Sequence, residues 1–209
     1  MNSQILTKIN SFTKNRLIEF SGVVLIILSI FLLVSIASYS PTDPNFIFLS
    51  ENDEIKNIAG FYGSVVSDFL LQSLGLVSFL LVINFFYWGV KIFSKKKITS
   101  LITKVFFIFT YITFGTTFLN IWNNNSFWLI DNGNGGFVGR SIKDNLYYFS
   151  PLIDNQYITY GLLLLTIIFF ILSLITTIDE FLKILVFPFI IIKKIFTFFK
   201  SNKQKVYAN

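Results

Sequence analysis

The sequence predicts an all-α membrane protein with four transmembrane helices, both termini in the cytoplasm, and a C-terminal amphipathic helix at the membrane interface. Hydrophobic residues make up 54% of the 209 residues and charged residues only 13%, whereas about a quarter of the residues in a soluble domain are charged. A soluble fold of this size could not bury so much apolar surface. The few charged residues also lie mainly between four long apolar stretches, which indicates repeated membrane crossings.

Four stretches without a charged residue are long enough to cross a bilayer, and they comprise residues 20–38, 69–90, 105–122 and 157–178. A hydrocarbon core about 30 Å thick requires about 20 helical residues. The third stretch is the shortest, but it can be extended across Lys104, whose side chain can reach the interface. The apolar runs are continuous rather than alternating with polar residues, which favours helices over the strands of a membrane barrel.

The distribution of Lys and Arg predicts the orientation of these spans. Fourteen of the 17 basic residues lie before the first span, between the second and third spans, or after the fourth. Basic residues accumulate on the cytoplasmic side of membrane proteins. The chain is therefore expected to consist of a cytoplasmic N-terminus at residues 1–19, a four-span domain at residues 20–180 and a cytoplasmic basic tail at residues 181–209.

The first span is predicted to end near Tyr39. Pro41 and Pro44 follow it, and proline both fixes φ and disfavours helix in the residue before it. A second interpretation stays open, in which the span is a signal peptide cleaved beside the small residues Ser35 and Ala37. The uncharged run of 19 residues is longer than the apolar region of a signal peptide, which has about 7 to 15 residues, so we favour a retained helix.

The second span is predicted to continue outwards as a helix. Residues 50–53 resemble a capping box. A helix over residues 57–90 would be about 51 Å long and would exceed the hydrocarbon core by about 20 Å. Such a helix must project from the membrane, tilt, or bend at Gly60 or Gly63. We favour projection, because the carboxylate of Asp68 is costly within lipid but not at the interface.

The second outer loop, residues 123–156, is rich in Asn and Gly, which are typical of turns. A short helix is predicted within it at residues 141–149, ending before Pro151. Aromatic residues flank the loop and suit the belt that forms at a membrane–water interface; they are Trp122, Trp128, Tyr147, Tyr148 and Tyr157.

The segment after the fourth span is apolar, but its uninterrupted apolar stretch, residues 184–192, is too short to cross a bilayer. Its Lys residues fall on one side of a helix, which is typical of a helix lying on the inner leaflet with Lys towards anionic headgroups. Pro188 is expected to bend that helix. A plain stop-transfer flank is the alternative interpretation.

The composition excludes most catalytic chemistry. Neither Cys nor His occurs, which removes thiol nucleophiles, disulfides and imidazole acid–base or metal chemistry. No Gly is followed by Lys, so the chain has no Walker A motif, and the glycines at residues 133–139 follow no predicted strand. We therefore predict no catalytic, cofactor or metal site. Asn84, the deepest polar residue of the spans, is interpreted as forming an interhelical hydrogen bond worth about 1 kcal/mol.

Several motifs occur in order around these spans, and together they resemble a known family. Ser-Tyr-Ser-Pro-x-Asp-Pro follows the first span, a spaced Asn/Gly/Asp/Gln run enters the second, Tyr-Trp-Gly ends the second, and Gly-Gly-x-x-Gly lies in the second outer loop. Asn57 belongs to these motifs, and the motif residues that are also candidates for partner contact are Ser38, Tyr39, Pro41, Asp43, Pro44, Gly60, Gly63, Asp68, Gln72, Gly75, Trp88, Gly135, Gly136 and Gly139. This pattern resembles the four-transmembrane N-terminal region of the FtsK/SpoIIIE DNA translocases.

The resemblance implies a function in cell division and chromosome segregation. In that family this region anchors a hexameric motor that pumps DNA, and it contacts other division proteins. The resemblance thus implies a protein of the bacterial inner membrane that lies at the division septum. It also implies the lipid bilayer and other division proteins as partners, and possible assembly into hexamers. The motor with its Walker motifs lies outside these residues, so DNA would be reached only through a motor that the chain lacks, whether in a longer product or a separate protein.

Two other function classes stay open at the level of sequence. A small channel or transporter subunit should line its spans with a polar stripe, whereas these spans carry only scattered Ser, Thr and Asn. A membrane-embedded enzyme would require clustered carboxylates at one depth. Asp43, Asp68, Asp131 and Asp154 all lie in or beside the outer loops, but their spacing does not require such a cluster, and we expect no enzymatic activity.

Overall fold

The computed structural model describes residues 2–46, 55–95, 100–126, 129, 131–149 and 155–175. Within these residues the chain is helical and contains no strand, which confirms the predicted fold class. In chain order the helices are α1 (Asn2–Ala37), α2 (Gly60–Leu74), α3 (Ser78–Lys95), α4 (Leu101–Trp122), α5 (Gly136–Phe149) and α6 (Gln156–Leu174), with a 3-10 turn (Gly75–Val77) between α2 and α3.

Four helical segments are long and apolar enough to cross a membrane, and they coincide with the four predicted spans. They are Thr7–Ala37, Gly60–Ser94, Leu101–Trp122 and Gln156–Leu174. The first differs from expectation at its start, because α1 already begins at Asn2 and continues without interruption into the span. The orientation of these helices relative to the cytoplasm stays a prediction.

Helices α1 and α3 pack closely along each other, because glycines face each other where they cross. A Cβ atom on Gly22 would lie 2.7 Å from the backbone nitrogen of Phe93, and one on Gly89 would lie 2.9 Å from the carbonyl oxygen of Gly22. The hydroxyl of Ser29 also donates a hydrogen bond to the carbonyl of Val82, at 2.9 Å. Small residues bring helix backbones together in this way where lipid provides no hydrophobic driving force.

The interhelical hydrogen bond predicted for Asn84 is present. Its side-chain amide donates to the hydroxyl of Ser173 on α6, at 2.5 Å. One turn further along α3, the indole N–H of Trp88 donates to the backbone carbonyl of Ser173, at 3.0 Å. These two donors of α3 both bind Ser173 near the end of α6, so they fix the relative position of these two helices.

The predicted continuous helix over residues 57–90 is wrong. The helix breaks at Gly75, which has φ 59° and ψ −146°, and not at Gly60 or Gly63. The cause is the second loop, because the amide of Leu76 donates to the carbonyl oxygen of Asn134 at 3.0 Å instead of continuing the helical ladder. Helix α2 is therefore a separate element, and the second candidate span consists of α2, the turn and most of α3.

The helix predicted in the second loop is confirmed, but α5 begins at Gly136 rather than at Ser141. Of the predicted aromatic belt, Trp122, Tyr147, Tyr148 and Tyr157 are exposed, and the belt itself stays a prediction. The capping box at residues 50–53, Trp128, Pro151 and the helix of the tail lie outside the described residues.

Candidate functional site

The loops at one end of the helical bundle meet and form what we call the loop-end cluster: residues 38–45, residues 55–59, helix α2, the turn at Gly75, and residues 131–139. The amide of Asn132 donates to the side-chain oxygen of Gln72 at 2.8 Å, which joins the second loop to α2. The two interhelical loops that were predicted to share one side of the membrane therefore lie together. Two crossings separate these loops along the chain, which is consistent with a shared side.

Asp43 organises the first loop. Its side chain is 3% exposed, and its two carboxylate oxygens accept hydrogen bonds from the backbone amides of Lys56 at 3.0 Å and Asn57 at 2.8 Å. Two further bonds tie the same loop to the helices: the amide of Ile58 donates to the hydroxyl of Ser38, and the hydroxyl of Ser64 donates to the carbonyl of Pro44. The motif after the first span thus holds residues 56–58 against the end of α1.

Asn57 connects α1 with α2. Its side-chain amide donates to the carbonyl of Ser35 at 2.8 Å and to the hydroxyl of Ser67 at 3.3 Å, while its side-chain oxygen accepts from the amide of Ala59 at 3.0 Å. Gly63 packs on that oxygen, since a Cβ atom there would lie 2.4 Å from it. Asn57 belongs to the motif but was not among the candidate site residues, because an Asn before a helix commonly only caps it.

A chain of side-chain hydrogen bonds runs from the first loop to the second. The hydroxyl of Tyr39 donates to Asp68 at 3.1 Å and accepts from the amide of Gln72 at 3.2 Å. The second oxygen of Asp68 accepts from the side-chain amide of Asn45 at 2.9 Å. Gln72 then accepts from Asn132, so three segments distant in sequence share one polar network.

Burial raises the pKa of Tyr39 from its ordinary value of 10.0 to about 12, and the nearby carboxylates of Asp68 and Asp131 add to this shift against the hydrogen bond from Gln72, which lowers it. The phenol is therefore protonated at every physiological pH. It can donate to Asp68 only in that form.

This shift predicts a loss of stability at high pH. A phenol that is harder to ionise in the folded state stabilises the fold below pH 10.0, and this contribution disappears as the pH rises towards about 12. We expect the wild-type protein in detergent to lose more unfolding free energy over this range than Tyr39→Phe. Tyrosinate absorbance should show that Tyr39 ionises at a correspondingly high pH. Equal pH profiles for the two proteins would contradict this prediction.

The motif glycines lie where backbones touch. A Cβ atom on Gly135 or Gly139 would lie 2.6 or 2.2 Å from the carbonyl oxygen of Thr116 on α4, and one on Gly136 would lie 2.6 Å from the backbone nitrogen of Gly75. The start of α5 is thereby inserted between α4 and the turn that separates α2 from α3. Only residues without a side chain permit this contact.

Trp88 is the motif residue that does not belong to the loop-end cluster. It is 5% exposed and binds the carbonyl of Ser173 on α6, as described above. The ammonium group of Lys104 lies 5.9 Å from the centre of its ring, a cation–π distance. Trp88 therefore has a structural position between α3, α4 and α6, away from the other candidate residues.

The contacts of the loop-end cluster are structural. Its buried polar side chains mostly bind backbone groups or one another, and no three His, Cys, Asp or Glu side chains come together among the described residues. Such bonds order loops that would otherwise be mobile. The arrangement holds the loops at this end of the bundle in one conformation.

Comparison with known proteins identifies the family. The family described as the 4TM region of DNA translocase FtsK/SpoIIIE matches residues 14–184. Proteins named DNA translocase FtsK are similar to the chain: that of Azospirillum brasilense is 32% identical over 89 residues, covering 42% of this chain and 14% of the relative, and that of Bradyrhizobium diazoefficiens is 26% identical over 129 residues, covering 61% and 15%.

The relative from Rickettsia bellii is 29% identical over 92 residues, which are 44% of this chain and 12% of that protein. The chain thus spans a small part of the length of these relatives. No solved structure matches it. The match comprises the four membrane helices and not a motor domain, and with residues 14–184 covered, the chain belongs to the family of the 4TM region of the FtsK/SpoIIIE DNA translocases.

Proposed function

We propose that this chain anchors an FtsK-like DNA translocase in the bacterial inner membrane and acts as a scaffold at the division septum. The family match over residues 14–184 carries this proposal. ATP hydrolysis and DNA pumping would belong to a motor domain, either in the same longer product or in a separate protein. DNA would be a partner only through that motor.

The loop-end cluster is the proposed contact surface for other division proteins. Ile58 and Tyr62 of this cluster are 81% and 75% exposed, and Phe46, which directly follows its first segment, is 82% exposed. An ordered backbone that presents exposed apolar side chains suits protein contact, because little conformational entropy is lost on binding. The basic residues of the opposite loop support the expected orientation, with both termini in the cytoplasm.

Assembly into hexamers is proposed from the family's hexameric motor. A chain that anchors such a motor would bring several copies of the four-span domain close together. Small residues within the bundle are already used for contacts between its own helices, so this assembly would use the exposed apolar surfaces of the membrane helices, which occur on α1, α3, α4 and α6.

A solute channel is less well supported. Among the described residues, the polar side chains of the spans are mostly buried against neighbouring helices rather than along an open path; those with less than 7% exposure include Ser29, Asn84, Thr116, Thr117, Thr166 and Ser173. Most of them bind a carbonyl of their own helix or a neighbouring helix. This pattern supports a packed bundle.

Localisation in dividing cells tests the scaffold function. A fluorescent fusion of the chain should be enriched at the septum of a dividing bacterium, relative to an unrelated four-span protein expressed at the same level. That control corrects for the doubled membrane of a septum. A fusion that is inserted in the membrane but distributed like the control would refute the division-site role while leaving the anchor intact.

A further inference from the structure

A cavity of about 910 Å³ lies beside the loop-end cluster. This volume falls in the range of about 300 to 1,000 Å³ that is typical of small-molecule sites. Residues from α1, α2, α3 and both loops contribute to its wall, among them the motif residues Tyr39, Pro41, Asp68 and Gln72.

The wall of the cavity has a polar end and an apolar end. Tyr39, Asp68 and Asp131 line the polar end, at the level of the loops, whereas Leu32, Leu81 and Phe85 line the apolar end. The apolar residues belong to α1 and α3, which are segments that cross the membrane. The direction from polar to apolar therefore runs from the loops into the bilayer, as it does in a membrane lipid.

The polar end is negative. Two carboxylates, from Asp68 and Asp131, line the cavity, and no Lys or Arg lines it among the described residues. The guanidinium of Arg140 donates a hydrogen bond to the backbone carbonyl of Asp131, so one positive charge lies near these two negative ones. Within that part of the chain, neither carboxylate forms an ion pair. The oxygens of Asp68 each accept one hydrogen bond, and a carboxylate oxygen can accept a second. A positively charged group with N–H donors would complete this arrangement, whereas an anionic headgroup would be repelled.

We propose that the cavity binds a phospholipid with a primary ammonium headgroup, of which phosphatidylethanolamine is the common example. The ammonium group binds at the carboxylates of Asp68 and Asp131, and an acyl chain lies along Leu32, Leu81 and Phe85. The site makes the four-span domain a receptor for one class of lipid, which goes beyond its function as an anchor.

Native mass spectrometry of the full chain tests this site. The protein is purified in mild detergent from membranes that contain phosphatidylethanolamine and phosphatidylglycerol, and the retained lipids are counted. We expect wild type to retain phosphatidylethanolamine about tenfold above its proportion in the membrane, which is the factor that one hydrogen bond to a charged group supplies. The double variant Asp68→Asn/Asp131→Asn should lose this preference. Asp144→Asn, which removes an exposed carboxylate on α5 outside the cavity, should retain it.

A second comparison requires no variant. The headgroup of phosphatidylcholine has the same charge but no N–H donor, so wild type should retain it less well than phosphatidylethanolamine. Absence of any lipid preference in wild type, equal retention of these two lipids, or an unchanged preference in the double variant would each overturn the proposal. Retention of a partner protein with a basic helix, in place of lipid, would overturn it as well.

Discussion

Gly75→Ala is expected to destabilise the protein by about 3 kcal/mol or more. With φ 59° and ψ −146°, this residue occupies a region that is almost exclusive to glycine and costs other residues about 1 to 3 kcal/mol. The new Cβ atom would also lie 2.0 Å from the carbonyl oxygen of Asn134. Relieving that overlap requires moving the second loop away from α2, which breaks the hydrogen bond between Leu76 and Asn134.

Unfolding by SDS in detergent micelles, followed by tryptophan fluorescence, measures this loss. Two glycines provide matched controls, because nothing lies within 4 Å of a Cβ atom at either position. Gly60→Ala has φ 67° and should cost about 1 to 2 kcal/mol from backbone strain alone. Gly161→Ala lies within α6 and should stabilise by up to about 1 kcal/mol. A cost for Gly75→Ala no larger than that for Gly60→Ala would refute the contact with Asn134.

The four crossings could be predicted from the sequence because they depend on local properties. A bilayer requires a run of apolar residues of fixed length, and such a run is visible without knowledge of any neighbour. The end of α1 near Tyr39 is similarly local, since proline acts on its own segment. The hydrogen bond of Asn84 followed from a general property of lipid, in which a buried amide requires a partner.

The break at Gly75 could not be predicted in the same way. A glycine within an apolar run is tolerated in membrane helices, and Gly60 and Gly63 were equally good positions for a bend. The position of the break is determined by the carbonyl of Asn134, which is distant in sequence and accepts a hydrogen bond from the amide of Leu76. Tertiary contact therefore overrides local propensity at this turn.

The motif residues could be identified from the sequence but their contacts could not, and partner contact at these residues stays a prediction. The motif identified Asp43, Asp68 and Gln72 as candidate site residues. It did not reveal that the carboxylate of Asp43 accepts hydrogen bonds from the amides of Lys56 and Asn57 across the loop. The cavity was beyond the reach of the sequence, because its wall comes from three helices and two loops. Its two ends become apparent only when these elements are packed together.

Asp43→Ala is expected to cost about 2 to 4 kcal/mol. The substitution leaves the part-buried amide of Lys56 and the buried amide of Asn57 without their acceptor, and an unsatisfied buried group costs about 1 to 3 kcal/mol. Asp43→Asn should cost an intermediate amount of unfolding free energy, because its single side-chain oxygen can accept a hydrogen bond from only one of the two amides. The exposed Asp144 is the matched control, and Asp144→Ala should stay within about 0.5 kcal/mol of wild type.

Hydrogen exchange locates the effect of Asp43→Ala. The amides of residues 56 and 57 should be protected in wild type and exchange rapidly in the variant, because the carboxylate is their acceptor. Asn57 joins α1 to α2, so the α1–α2 contact should loosen while the membrane crossings, which depend on apolar length, stay inserted. Rapid exchange of both amides in wild type, or loss of membrane insertion in the variant, would contradict this account of how the first loop is ordered.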